Sequence, residues 1–116
     1  MESLTGEMQS GKRSGSQMDI SQGDVLKIEG IKCPVFIASK DFFNQSGEII
    51  GCPLYSKSSP GPLHIYVTGT DIQGFVHCEK LKLFDLNIRG YHKIGRVQIN
   101  DIMNVADAIQ GIFDYI

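Results

Sequence analysis

From residue 24 onward the apolar residues fall in short runs broken by turn formers, the pattern of a chain built mainly from β-strands. Residues 24–29 set Val25, Leu26 and Ile28 among polar neighbours. Residues 33–39 (C-P-V-F-I-A-S) form an apolar, β-branched run opened by a proline. Both are expected strands. Residues 41–47 (D-F-F-N-Q-S-G) carry turn formers and one helical turn. Strands are then expected at 48–55 and 63–68, on either side of the loop S-K-S-S-P-G-P. A further strand is expected at 74–79, extended by 80–85, and another at 94–99. The period changes at the end, where Ile102, Val105, Ile109, Ile112, Phe113 and Ile116 recur at helical spacing. Asn100 is the expected cap of that helix, with Asp101 and Asp107 favoured near its positive end. The architecture expected is a small β-barrel closed by one C-terminal α-helix. Residues 1–18 have few large apolar residues and no periodicity, so they are read as a disordered leader before a single domain at 19–116.

The most informative stretch is residues 74–90, G-F-V-H-C-E-K-L-K-L-F-D-L-N-I-R-G. In a strand, alternate side chains return to one face, which places His77 beside Glu79 and turns Cys78 the other way. An imidazole and a carboxylate side by side can handle protons at both ends of a bond: Glu79 as base, His77, with an ordinary pKa near ~6.5, as acid. An H-x-E pair is also what a solvated sheet face carries, where it forms at most a weak ion pair.

Composition narrows the classes of function. With 41% hydrophobic and 21% charged residues the chain is ordinary for a globular domain, and no apolar run reaches the ~20 residues of a membrane-spanning helix. No secretory h-region stands at the start, so a cytoplasmic location and no membrane partner are expected. A net charge of -2 and a pI of about 5.8 exclude coating of nucleic acid by bulk charge, so any contact with RNA is local. Cys33, Cys52 and Cys78 make neither a C-x-x-C pair nor a disulfide framework. They are read as reduced thiols, with Cys33 and Cys78 facing the core. His64 and His92 have no ligand-like spacing, and the glycines make no phosphate loop. No metal and no cofactor are therefore expected.

Three segments resemble the PemK/MazF/Kid toxins, divergently. Q-G-D-V-L at 22–26 is similar to that family's opening R-G-D-I/V strand. C-P-V-F-I-A-S-K-D-F-F-N at 33–44 is similar to its R-P-V-L-V-I-S-x-x-x-F-N. The run from Gly74 to Arg89 is similar to its G-V-V-R-C-D strand, with I-G-R-V and then I-M-N-V-A leading through the last helix. The resemblance implies an SH3-like barrel, a homodimer, a cognate antitoxin and metal-independent cleavage of single-stranded RNA to a cyclic phosphate. It places His77 and Glu79 at the catalytic positions and suggests Lys32, Tyr55 and Ser56 as RNA-binding residues. The chain departs from the family pattern in several places. Cys33 stands where an Arg usually precedes the proline, P-L-Y-S at 53–56 replaces P-x-T-S, and the first loop is cut to Gly30, Ile31 and Lys32. The alternatives are a member of the same fold that only binds, and a gyrase-binding toxin of the related CcdB type.

Overall fold

The computed structural model describes residues 19–114, so the leader assigned to 1–18 lies outside the described residues, as do the last two positions. Seven strands and two helices follow one another: β1 (Asp24–Ile28), β2 (Val35–Ile37), α1 (Asp41–Asn44), β3 (Glu48–Tyr55), β4 (His64–Thr70), β5 (Ile72–His77), β6 (Lys82–Asp85), β7 (Tyr91–Val97) and α2 (Ile99–Phe113). The sheet runs β2-β1-β7-β4-β5-β3, and a further pairing of β2 with β3 closes it into a six-stranded barrel. All the registered pairs are antiparallel. Closure leaves few free edges, which lets a short chain satisfy its backbone hydrogen bonds.

Strands β1 and β2 are buried on both faces, which is why they read as runs rather than as strict alternation. Val25 and Phe36 pack with Val67, Val76, Val97 and the helix residues Ile102 and Val105. Leu26, Val35 and Ile37 turn the other way, onto Ile20, Ile49, Phe84 and Leu86. Fully burying side chains such as Ile102 and Val105 contributes roughly 1.5–3 kcal/mol each, and this anchors α2 against the barrel. Gly69 permits the β4–β7 seam: a Cβ there would stand 1.9 Å from the carbonyl oxygen of Arg96.

The structure moves several expected boundaries. The strand at 74–79 begins earlier, at Ile72, and stops at His77. Residues 78 and 79 form a turn, in which the Lys80 N–H donates to the His77 carbonyl at 3.1 Å. The segment expected to extend it is a separate strand, β6, paired with the first half of β3. Strand β7 starts at Tyr91, so His92 lies in a strand. The residue before α2 is Gln98, and Asn100 falls inside the first turn. Asp101 accepts from the Thr68 N–H at 2.9 Å and from Gln98 Nε2 at 3.0 Å, tying the helix start to β4. Asp107 lies beyond that first turn and is exposed. Among the described residues no helix is long and apolar enough to cross a membrane.

Candidate active site

Strands β4 and β5 form a hairpin whose turn holds Asp71 at φ 61°, a left-handed conformation that a short polar side chain tolerates. That turn fixes the register, and six paired positions later it sets His64 directly opposite His77. The two imidazoles stack, with centroids 3.8 Å apart and planes 10° from parallel. The Tyr55 ring meets His77 edge-on at 4.6 Å. Tyr55 reaches that position because Gly74, at φ 152°, lets β5 lie close on β3. A Cβ at Gly74 would come within 2.7 Å of the Tyr55 carbonyl oxygen.

The two histidines sit in opposite electrostatic settings. His77 is buried, with Nε2 2.7 Å from the Ser58 hydroxyl and an Nδ1 that has no partner among the described residues. Burial, reinforced by the neighbouring His64, holds its pKa below the ordinary histidine range. His64 is partly exposed. Its Nδ1 lies 2.9 Å from the Ser59 carbonyl and its Nε2 3.0 Å from a Glu79 oxygen. Both contacts favour the charged ring, the Ser59 carbonyl most, and its pKa is raised. Glu79 is lowered in turn, chiefly by its hydrogen bond with His64. The geometry requires this: a carbonyl can only accept, so Nδ1 carries a hydrogen, and an unprotonated Nε2 would set its lone pair against a carboxylate. One ligand atom each from His64, His77 and Glu79 lies within 4.8 Å of the others.

Next to this cluster, sharing Tyr55 with it, opens a cleft of about 300 Å³ lined by Ile31, Cys33, Val35, Pro53, Tyr55, Lys80, Leu81, Lys82 and Phe84. Lys80 holds its Nζ 5.3 Å from the centre of the Tyr55 ring. Of the residues named from sequence, His77 and Glu79 meet in the histidine cluster, and Tyr55 touches His77 and also lines the cleft. Lys32 is exposed and does not line the cleft, although Ile31 and Cys33 on either side of it do; its carbonyl accepts from Lys27 Nζ at 2.9 Å. Ser56 is exposed, and the hydroxyl that reaches the histidines belongs to Ser58. Cys33 is only partly buried and faces the cleft, whereas Cys52 and Cys78 are sealed in the core. Desolvation pushes the Cys52 thiol up to about 12 and the Cys78 thiol up to about 11, so neither is a ready nucleophile.

Sequence reasoning missed His64, Ser58 and the lysine pair. Lys80 and Lys82 were signalled by the alternation E-K-L-K directly after the motif strand. Nothing in S-K-S-S-P singles out one serine, and the partnership of His64 with His77 depends on a cross-strand register that sequence spacing does not print.

Comparison with known proteins completes the picture. Among solved structures, the chain is similar to the MazE-MazF complex (Form-I) from Deinococcus radiodurans, with a TM-score of 0.73, 14% identity, and 81% of this chain and 95% of that one covered. It is similar to an endoribonuclease from Mycobacterial species, with a TM-score of 0.73, 14% identity, and 84% and 93% covered. It also matches an endoribonuclease in complex with its cognate antitoxin from Mycobacterial species, with a TM-score of 0.71, 15% identity, and 81% and 94% covered. At such identities these likenesses establish the fold. No curated protein sequence matches the chain. The family model of the PemK-like, MazF-like toxins of type II toxin-antitoxin systems matches residues 17–113, nearly the whole of the folded region. With that match and the closed barrel it shares with the MazF structures, the chain belongs to the PemK/MazF toxin family.

Proposed function

We propose that this toxin is an endoribonuclease that cuts single-stranded RNA without a metal and leaves a 2′,3′-cyclic phosphate. The observation that carries the reading is the pair of facing histidines with pKa values pushed in opposite directions, one held by a carboxylate, beside a cleft with two lysines. Cleavage of this kind needs a base for the 2′-hydroxyl proton, an acid for the 5′ leaving oxygen, and cations against the phosphorane charge. His64, protonated on the side facing Glu79, is the acid. Glu79 holds that proton in place. His77, kept neutral by burial, is the base and is reached where the Ser58 hydroxyl now sits. The proposal thus gives His77 and Glu79 tasks different from those suggested by strand alternation. Lys80 and Lys82 face the phosphates and Tyr55 offers a ring for base stacking, with Lys32 and Ser56 as peripheral contacts.

The same reading makes the chain a cytoplasmic homodimer neutralised by a cognate antitoxin. Its support is the family match, the MazE-MazF neighbours, and the exposed apolar side chains Leu83, Ile99, Met103 and Phe113, which a partner would cover. The test is incubation of the purified full chain with a long single-stranded RNA in EDTA, followed by mapping of the ends. Cuts bearing cyclic phosphate, lost in His64→Ala and Glu79→Gln, are expected. Intact RNA, or cuts that persist in both variants, would overturn it and leave the binding-only reading of the fold.

A further inference from the structure

We propose that His64, His77 and Glu79 form a Zn²⁺ site, in which the ion takes the place of the proton between His64 and Glu79 and thereby silences the toxin. The silencing rests on the nuclease reading; the binding does not.

The geometry supplies the argument. The 3.0 Å gap between His64 Nε2 and the Glu79 oxygen faces a nitrogen lone pair and a carboxylate, so it must hold a cation. In a tetrahedral zinc site with N and O ligands at ~2.0–2.1 Å, the ligand atoms stand about 3.3 Å apart, a few tenths of an ångström wider than this gap. His64 is already oriented as a ligand: its Nδ1–H donates to the Ser59 carbonyl at 2.9 Å, an outer-shell bond that leaves Nε2, facing Glu79, as the nitrogen to exchange its proton for the ion. Glu79 is exposed and can follow the ion. His77 provides the third ligand, its reach to the other two being no more than 4.8 Å. This buried imidazole has a ring nitrogen without a hydrogen-bond partner among the described residues, and its other nitrogen meets only the Ser58 hydroxyl, which an ion can displace.

Two parallel rings cannot both aim in-plane lone pairs at one ion. Binding therefore opens the stack, and His64, a quarter of its side chain exposed, is the ring free to tilt. Two imidazoles and one carboxylate make a donor set suited to zinc, with the fourth position left to water. An ion held there removes the transferable proton of His64 and pins His77, so the apo protein is the active form.

The test is a titration of the full chain with ZnCl₂ by calorimetry, repeated with Co²⁺ for its ligand-field spectrum. Wild type should take up one ion per chain and give the bands of a four-coordinate nitrogen and oxygen site. His64→Ala and Glu79→Gln, both at accessible positions, should weaken uptake by tenfold or more, while Cys33→Ser leaves it unchanged. No uptake by wild type, equal uptake by both site variants, or a thiolate charge-transfer band lost in Cys33→Ser would each overturn the site. RNA cleavage by the apo chain should stop on adding Zn²⁺ and return with EDTA. Cleavage that continues in the zinc-loaded protein would overturn the silencing. RNA left intact by the apo chain would sink the nuclease reading instead, without touching the titration.

Discussion

Two polar clusters in this barrel resemble each other in composition and differ in how they are satisfied. Asp24, almost wholly buried, accepts from Arg96 at 3.0 Å, from Lys93 at 3.2 Å and from the Ser21 N–H at 2.8 Å, all across or beside the β1–β7 pairing. Both carboxylate oxygens are held, and both cations keep half their surface in water. The β4–β5 cluster instead stacks two like rings, leaves one buried nitrogen without a partner among the described residues, and drives two histidine pKa values apart. A buried charge with both oxygens occupied braces a fold. A buried imidazole left short of partners, next to one carrying a proton, costs stability and so points to chemistry. The G-D segment similar to the family's opening strand is therefore structural, and the proposed site lies at the β4–β5 pairing.

That contrast breaks in a defined way under substitution. His64→Ala should lower RNA cleavage by about 10²–10⁴-fold, the typical contribution of a positioned acid, while moving the urea unfolding midpoint little, since its hydrogen-bond partners Ser59 and Glu79 are exposed. Asp24→Ala should do the reverse. Removing the buried carboxylate leaves the Ser21 N–H without its acceptor and turns two half-exposed cations to water, at about 1–3 kcal/mol by the scale for a lost buried acceptor, read as a lower urea midpoint at unchanged m-value. A large activity loss without destabilisation in Asp24→Ala would erase the distinction.

The barrel and the final helix were legible because burial writes itself into residue type: Val25, Leu26, Phe36 and Ile37 can only be inside, and Ile102 and Val105 mark one face of a helix. The toxin resemblance was legible from the order of its segments, and the closed barrel and the family match bear it out. The site was legible in part. His77 and Glu79 were singled out on strict alternation, yet the strand ends at His77, and Glu79 joins the cluster through a turn and through His64. His64 itself stands thirteen positions before His77, a separation that means nothing until the hairpin register is set. Ser58 took the place expected of Ser56 because the path of the loop, rather than its composition, decides which hydroxyl reaches the ring.

Acidity sharpens the comparison further. His77 is lowered and must be neutral to accept a proton. His64 is raised and must be charged to donate one. The rate should therefore rise through a pKa below ~6.5 and fall through one above it, giving a bell whose two limbs lie on either side of that value. Stability follows the same signs. The part due to His77 is present above its unfolded pKa of ~6.5 and is lost as pH falls toward its lower folded value. The part due to His64 is full below ~6.5 and is lost as pH rises through its raised folded value. The smallest effect belongs to the cleft: Lys80→Ala should lower kcat/KM about threefold to fivefold, the scale of one exposed charge pair.

The central claim is that two facing imidazoles hold opposite protonation states near neutrality. An NMR pH titration of the His64 and His77 ring protons tests it most directly. His64 should titrate above the free-histidine value and His77 below it, and His64→Ala should bring His77 part of the way back. Two histidines titrating together at the ordinary value, or in the reverse order, would contradict the account.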